Sequence, residues 1–150
     1  GGKTDYNQEV TMTLFFVNKK GNALLETRVT KIYDGTISME QLIMEQLING
    51  PGAIKGLKED NLYPTIPSST SLIKVSTKDG LCYVDLSKEF LEKIPEITDE
   101  VAIYSIVNSL VEMPSVNKVK FLIEGEEQKT YRETMTFNQY FERNLDIVQE

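Results

Sequence analysis

Val10, Met12, Leu14 and Phe16 alternate with Thr11, Thr13, Phe15 and Val17. That two-residue period predicts a strand well covered on one face and partly covered on the other. The polar interval Asn18-Lys19-Lys20-Gly21-Asn22 has turn chemistry. Leu24–Tyr33, with β-branched Thr27, Val29, Thr30 and Ile32, predicts a second strand folded back as a hairpin and broken at Asp34-Gly35. The period then changes: Met39, Leu42, Ile43 and Leu47 recur at helical spacing behind Ser38, a hydroxyl cap followed three residues later by Gln41. This helix is expected to stop at Asn49-Gly50-Pro51, where glycine takes the positive φ and proline cannot continue.

From Gly52 to Ser71 the pattern is irregular, with Pro64, Pro67, a Ser68-Ser69-Thr70-Ser71 run and only Ile54, Leu57, Leu62 and Ile66 as large aliphatic groups. These four can pin a long connection to the core, and long loops inside compact domains are uncommon and often functional. Leu72–Thr77, Lys78-Asp79-Gly80 and Leu81–Leu86 predict a second hairpin around an Asp-Gly turn. Ser87 is placed to cap a short helix from Lys88 to about Lys93, ended by Pro95. Thr98 with Asp99 and Glu100 caps a longer helix whose apolar face is Ala102, Ile103, Ile106, Val107, Leu110 and Val111, ending before Pro114. Val119, Phe121 and Ile123, with Leu122 opposite, make a last strand closing at Glu124-Gly125, and the spacing of Phe137, Tyr140 and Phe141 suggests a final turn or short helix returning to the body. The whole predicts an α/β fold, a mixed sheet with hairpins and two main helices packed on it. The ends of the two helices echo one another at a constant offset, Ile43, Leu47, Ile48 and Pro51 against Ile106, Leu110, Val111 and Pro114. Duplication of a strand and helix unit would produce this, and so would helix-end chemistry alone.

Composition narrows the functional classes. The chain has 150 residues, 40% of them hydrophobic, enough for one substantial core or two small subdomains sharing a face. The net charge is −7 with the basic residues scattered, so the basic footprint that nucleic acid requires is missing. There is no histidine, which excludes histidine-based triads and histidine zinc sites, and no cofactor motif is present. Cys82 lies in the apolar run Leu81–Val84, reads as a buried core thiol and has no cysteine to pair with. No stretch approaches the ~20 apolar residues of a membrane span, and no signal-peptide pattern opens the chain. Gly1-Gly2-Lys3-Thr4-Asp5 reads as an expression remnant followed by a linker end, so a soluble part of a longer protein is expected.

Six segments carry a family resemblance: Leu14–Val17, Ala23–Val29, Leu47–Pro51, Ile66–Thr70, Val84–Phe90 and Val116–Gly125. In this order, with a Gly-Pro loop after the first helix, they resemble the GerMN domain of bacterial sporulation and spore germination proteins. The resemblance implies residues 1–9 as remnant and linker and 10–125 as the GerMN-like domain. The stretch after Gly125 departs from the family's ending, leaving 126–150 as a C-terminal extension packing on the domain. It further implies a cell-envelope protein, extracytoplasmic and lipid-anchored in its intact form. Such domains look like the ring-building motifs of secretion and sporulation channels, in which small α/β modules pack side by side.

Three functions compete. The first, implied by the resemblance, is a non-enzymatic scaffolding module binding envelope proteins, with self-association open. The second is a peptidoglycan- or small-ligand-binding module built on the long loop, with Asn61, Ser68, Ser69 and Thr70 as polar contacts and Tyr63 to stack on a sugar ring. Against it, these serines have turn chemistry and Tyr63 suits a partly buried position. The third is a hydrolase using Glu124, Glu126 and Glu127 or the pair Asp99 and Glu100. Charge runs in acidic chains are usually solvated faces, and calcium-loop spacing is absent from these clusters. Asp85 and Ser87, without a base or metal partner at recognisable spacing, read as turn and cap residues, so no catalytic or metal-binding residue is assigned.

Overall fold

A computed structural model describes residues 7–57 and 61–150; of the remnant and linker expected over 1–9, residues 1–6 lie outside the described residues, and Gln8 and Glu9 already belong to the first strand. β1 (Gln8–Val17) and β2 (Leu24–Tyr33) form the first hairpin, antiparallel and unshifted from Gln8↔Tyr33 to Val17↔Leu24. Met12, Leu14 and Phe16 face the main core. Phe15 and Val17, on the opposite side, join Leu24 and Val101 in a smaller cluster, so the end of β1 is covered on both faces. The turn is held by Asn18, whose Oδ1 accepts from the backbone N–H of Asn22 at 3.1 Å and Ala23 at 3.2 Å.

α1 (Met39–Asn49) has the predicted ends. Ser38 Oγ accepts from Gln41 N at 3.1 Å, and Gly50, at φ 82°, donates its N–H to Gln46 O at 3.0 Å. Pro51 opens one 3₁₀ turn, Pro51–Ala53. β3 (Leu72–Lys78) and β4 (Leu81–Leu86) form the second hairpin, with Asp79 at φ 52° and Gly80 at φ 81° in the turn. β5 (Lys118–Ile123) lies parallel to β4, from Leu81↔Lys118 to Leu86↔Ile123. Parallel neighbours need a long crossover, and α2 (Asp99–Val111) supplies it. Thr98 Oγ1 caps α2 at Val101 N, 3.4 Å. Every residue of α2 except Glu100 and Tyr104 is buried, far more than the predicted apolar stripe. It packs against β1, β5 and α1, and a helix surrounded in this way buries its polar positions as well. Those positions are satisfied: Ser105 Oγ donates to Ala102 O at 2.9 Å, and Asn108 Nδ2 donates to Asn144 O at 2.8 Å.

The fold is mixed α/β with two main helices, as expected. The strands are distributed over three sheets: β1–β2, the mixed sheet in the order β3-β4-β5, and a small hairpin of β6 (Thr130–Tyr131) and β7 (Met135–Thr136). Two local expectations are corrected. Ser87 precedes a 3₁₀ turn, Lys88–Leu91, and does not cap it; its Oγ accepts from Ser71 N at 2.9 Å, tying the loop before β3 to the end of β4. The region of Phe137, Tyr140 and Phe141 is not helical. Phe141 exchanges two backbone bonds with Val119, at 2.8 and 2.9 Å, and continues the sheet beyond β5, a tertiary pairing that overrides the helical spacing.

Candidate functional site

The long connection is pinned as its apolar residues predict: Ile54, Leu62 and Ile66 are buried and Leu57 packs on the core. Its backbone also joins β1, since Tyr63 N donates to Val17 O at 2.9 Å and Val17 N to Tyr63 O at 3.1 Å. Thr65 Oγ1 shares a hydrogen bond with Ser105 Oγ of α2 at 2.8 Å. The five loop candidates separate on this scaffold. Tyr63 keeps 39% of its surface exposed at the end of β1. Asn61, also exposed, lines a hollow of about 230 Å³ with Asn18, Lys19, Lys20, Leu25 and Gln149. Asn18 Nδ2 donates to Gln149 Oε1 across this hollow at 3.0 Å. Ser68 and Ser69 are exposed on a turn closed by Thr70 N donating to Pro67 O at 3.0 Å, whereas Thr70 itself is buried.

Of the groups considered for catalysis, Asp85, Glu124, Glu127 and Asp99 hold parts of the chain together, while Glu100 and Glu126 are exposed. Asp85 Oδ1 accepts from Gly125 N and Glu124 Oε2 from Lys88 N, each at 2.9 Å. Glu127 pairs with buried Lys120 at 3.0 Å. Asp99 is enclosed by Arg132 Nη1 at 3.2 Å and by the hydroxyl of Thr134, which donates to Oδ2. Cys82 is fully buried, and burial pushes its thiol up to about 11. Among the described residues no three acidic or thiol side chains come together as metal ligands.

Three features were not read from the sequence. One is the hollow around Asn61, made of residues from both ends of the chain; Asn18-Lys19-Lys20 was visible only as a turn. Another is the Arg132–Asp99 pair, which no local spacing links. The last is a groove beside β1, signalled in the sequence only by Met12, Met39 and Met113, which any apolar core would also explain.

No curated protein sequence matches the chain significantly. Among solved structures, the tandem GerMN domains of the sporulation protein GerM from Bacillus subtilis superpose with a TM-score of 0.70 at 20% identity, over 99% of this chain and 50% of that one. The chain thus spans half of the tandem structure. The first GerMN domain of the same protein gives 0.65 at 21% identity, covering 91% and 98%. A candidate lipoprotein from Clostridium perfringens gives 0.60 at 18%, covering 95% and 93%. These likenesses establish the fold. A family model, Germane, described as sporulation and spore germination, matches residues 13–129, most of the chain. With the six ordered segments lying on the elements just described, the chain belongs to the Germane (GerMN) family of sporulation and spore germination.

Proposed function

We propose that this domain is a non-enzymatic interaction module that helps assemble or position an envelope complex during sporulation or germination. The observation that carries the reading is the use of the chain's reactive-looking side chains as fastenings. Asp85, Glu124 and Asp99 each hold a backbone or side-chain donor, Ser87 joins two segments, and Cys82 is sealed in the core. A site for chemistry keeps such groups free to meet a substrate. The family membership and the fold shared with a candidate lipoprotein support placing the intact protein outside the cytoplasmic membrane on a lipid anchor. No helix among the described residues is long and apolar enough to cross a membrane. In this reading residues 10–125 form the GerMN-like core and 126–150 an extension packed on it. Its side-by-side association would follow the ring-building likeness. Crosslinking pulldowns from sporulating cells test the proposal: specific envelope proteins are expected in the captured fraction. A chain that stays monodisperse in sedimentation velocity and captures none would sink it.

A second reading, recognition of peptidoglycan or a small polar ligand, is favoured by the hollow at Asn61. Amides of Asn18, Asn61 and Gln149 and the cations of Lys19 and Lys20 converge there, beside a loop that exposes Tyr63, Ser68 and Ser69. Amides and ammonium groups suit the amide and carboxylate groups of wall peptides, and an exposed tyrosine face suits a sugar ring. Co-sedimentation with insoluble peptidoglycan tests it, with Tyr63→Ala and Asn61→Ala expected to weaken saturable binding. Binding that survives both substitutions unchanged would remove this surface from consideration.

A further inference from the structure

The hydrogen-bonding direction along β1 is set by two fixed points. Phe15 N donates to Ser109 Oγ at 3.0 Å, and Val17 exchanges its two bonds with Tyr63. Both residues therefore turn their backbone groups away from β2. Opposite residues in an antiparallel ladder alternate between bonded and non-bonded pairs. Stepping back by two, Thr13 and Thr11 must point their N–H and C=O outward as well. Leu24, opposite Val17, gives the same phase, because its own backbone groups bond Ile147 and Gln149 on the far side of the hairpin. The outward backbone groups of Thr11 and Thr13 have no hydrogen-bond partner among the described residues.

This open length borders an apolar groove. A hollow of about 310 Å³ is lined by the Thr11–Thr13 edge together with Met39, Ile43 and Met113, and it adjoins a wider hollow of about 710 Å³ that runs past Val10 to Asp34. Thr11 and Met39 line both, so the two make one channel along the strand. The edges of β2 and β3 carry features that discourage pairing. β3 has a register shift between Leu72 and Lys74 and exposes Lys74 and Lys78, and β2 exposes Glu26 and Arg28. From Val10 to Val17, β1 has no charge, no proline and no register shift. Tyr63 already demonstrates that this edge accepts an added strand, two residues beyond Phe15. Among the residues lining the channel the charged ones are Asp34 and Glu112, and none is basic. Glu112 has only a distant partner, Arg143 at 3.9 Å.

We propose that the β1 edge at Thr11–Thr13 takes an extended, basic peptide segment of a partner protein as an added strand. An apolar side chain of that segment seats against Met39, Ile43 and Met113, and its cations lie beside Asp34 and Glu112. Main-chain bonds supply affinity in this mode and alternate side chains supply specificity. Methionines adapt to the inserted group. A second copy of the chain is a poorer occupant, since each copy carries −7 and would bring like charge to the carboxylates. The inference rests on the interaction-module reading and names the surface and partner chemistry for it.

The test uses the full chain with a fluorescent decapeptide of alternating lysine and valine, and an alternating glutamate and valine peptide as control. The basic peptide should bind saturably, and the Thr11 and Thr13 amides should pass from fast to slow hydrogen exchange on binding. Thr13→Pro removes an outward N–H that the β1–β2 ladder does not use, and should weaken binding by about tenfold or more. Should that variant fail to fold, the exchange measurement on the unaltered chain still decides. Asp34→Asn with Glu112→Gln should weaken binding by about threefold and flatten its salt dependence. No binding of the basic peptide, equal binding of the acidic one, or binding without protection at Thr11 and Thr13 overturns the proposal. Cellular crosslinking separates it from the broader reading. Capture undiminished in a folded Thr13→Pro chain overturns the edge and leaves the module standing, whereas no capture by the unaltered chain overturns the module.

Discussion

Arg132 has a side chain only 4% exposed, and it faces Asp99, whose side chain is 6% exposed, at 3.2 Å. Its remaining donors reach the carbonyls of Phe90 and Leu91, each at 3.3 Å, and that of Glu92, and its guanidinium lies 4.4 Å from the centre of the Tyr131 ring. Removing one partner of a buried pair leaves the other charge uncompensated. Arg132→Ala should therefore cost about 3–5 kcal/mol, with Arg132→Lys intermediate because it keeps the charge and loses the planar fork. Urea unfolding measures this, and a loss for Arg132→Ala below about 1 kcal/mol, the size of an exposed pair, would refute the buried role. Cys82 gives a pH prediction. Burial raises its thiol from the ordinary 9.0 to about 11, so as pH rises the unfolded chain releases the proton first. This contribution is fully present below about pH 9 and is lost as pH climbs through about 11, on the order of 2–3 kcal/mol. Unfolding midpoints for the natural chain and Cys82→Ala should converge over that interval; parallel curves would contradict it. The thiol should also resist disulfide-exchange reagents at neutral pH until the chain unfolds. Of these two residues only Cys82 was legible in the sequence, because its apolar neighbours announce a strand interior. Nothing near Arg132 or Asp99 points to the other.

At the scale of elements, the hairpins and both helices stand where periodicity and capping place them. Strand period, Asp79-Gly80, Ser38 and Gly50 act over a few residues, so their chemistry is local. Gly21 shows where local reading stops. Its turn was predictable, yet its close approach to the segment before α2 was not: at φ 77°, a Cβ there would stand 1.9 Å from the Glu96 carbonyl oxygen, while Thr98 N donates to Gly21 O at 2.9 Å. Gly35 has the same φ and nothing within 4 Å of such a Cβ. Gly35→Ala should thus carry only the backbone term of about 1 kcal/mol, and Gly21→Ala should cost at least about 3 kcal/mol by adding overpacking against backbone. Thermal unfolding of the two variants side by side checks this; equal losses would mean that the 94–98 segment yields freely. Ser87 as a cap and the helical option for the Phe137–Phe141 stretch fail for one reason. Each satisfies a local template, a cap and a helical spacing, while its actual partner, Ser71 or Val119, lies elsewhere in the sequence.

Across the whole molecule, the segment after Gly125 closes the core. Tyr131, Phe137 and Phe141 are buried against Phe90 and Phe121, with ring centroids 5.1 Å apart for Phe90 and Tyr131 and 5.2 Å for Phe121 and Phe137. Buried large side chains contribute about 1.5–3 kcal/mol each, and small domains have only about 5–15 kcal/mol in total. A chain ending at Gly125 should therefore lose cooperative unfolding, and Phe137→Ala alone should cost about 3–5 kcal/mol. Near-ultraviolet dichroism and a urea titration report both, and a sharp transition in the shortened chain would show that the rings are dispensable. The sequence by itself determined the types of the five long strands and two helices, most of their boundaries, the mixed α/β class and, through six ordered segments, the family. Those properties depend on neighbours a few residues apart. Only the tertiary structure decided the division into three sheets, the near-complete enclosure of α2, the pairing of Phe141 with Val119 and the open edge at Thr11 and Thr13. These are pairings between residues far apart in the chain, chosen by what the rest of the fold leaves covered or uncovered, and no local pattern records them.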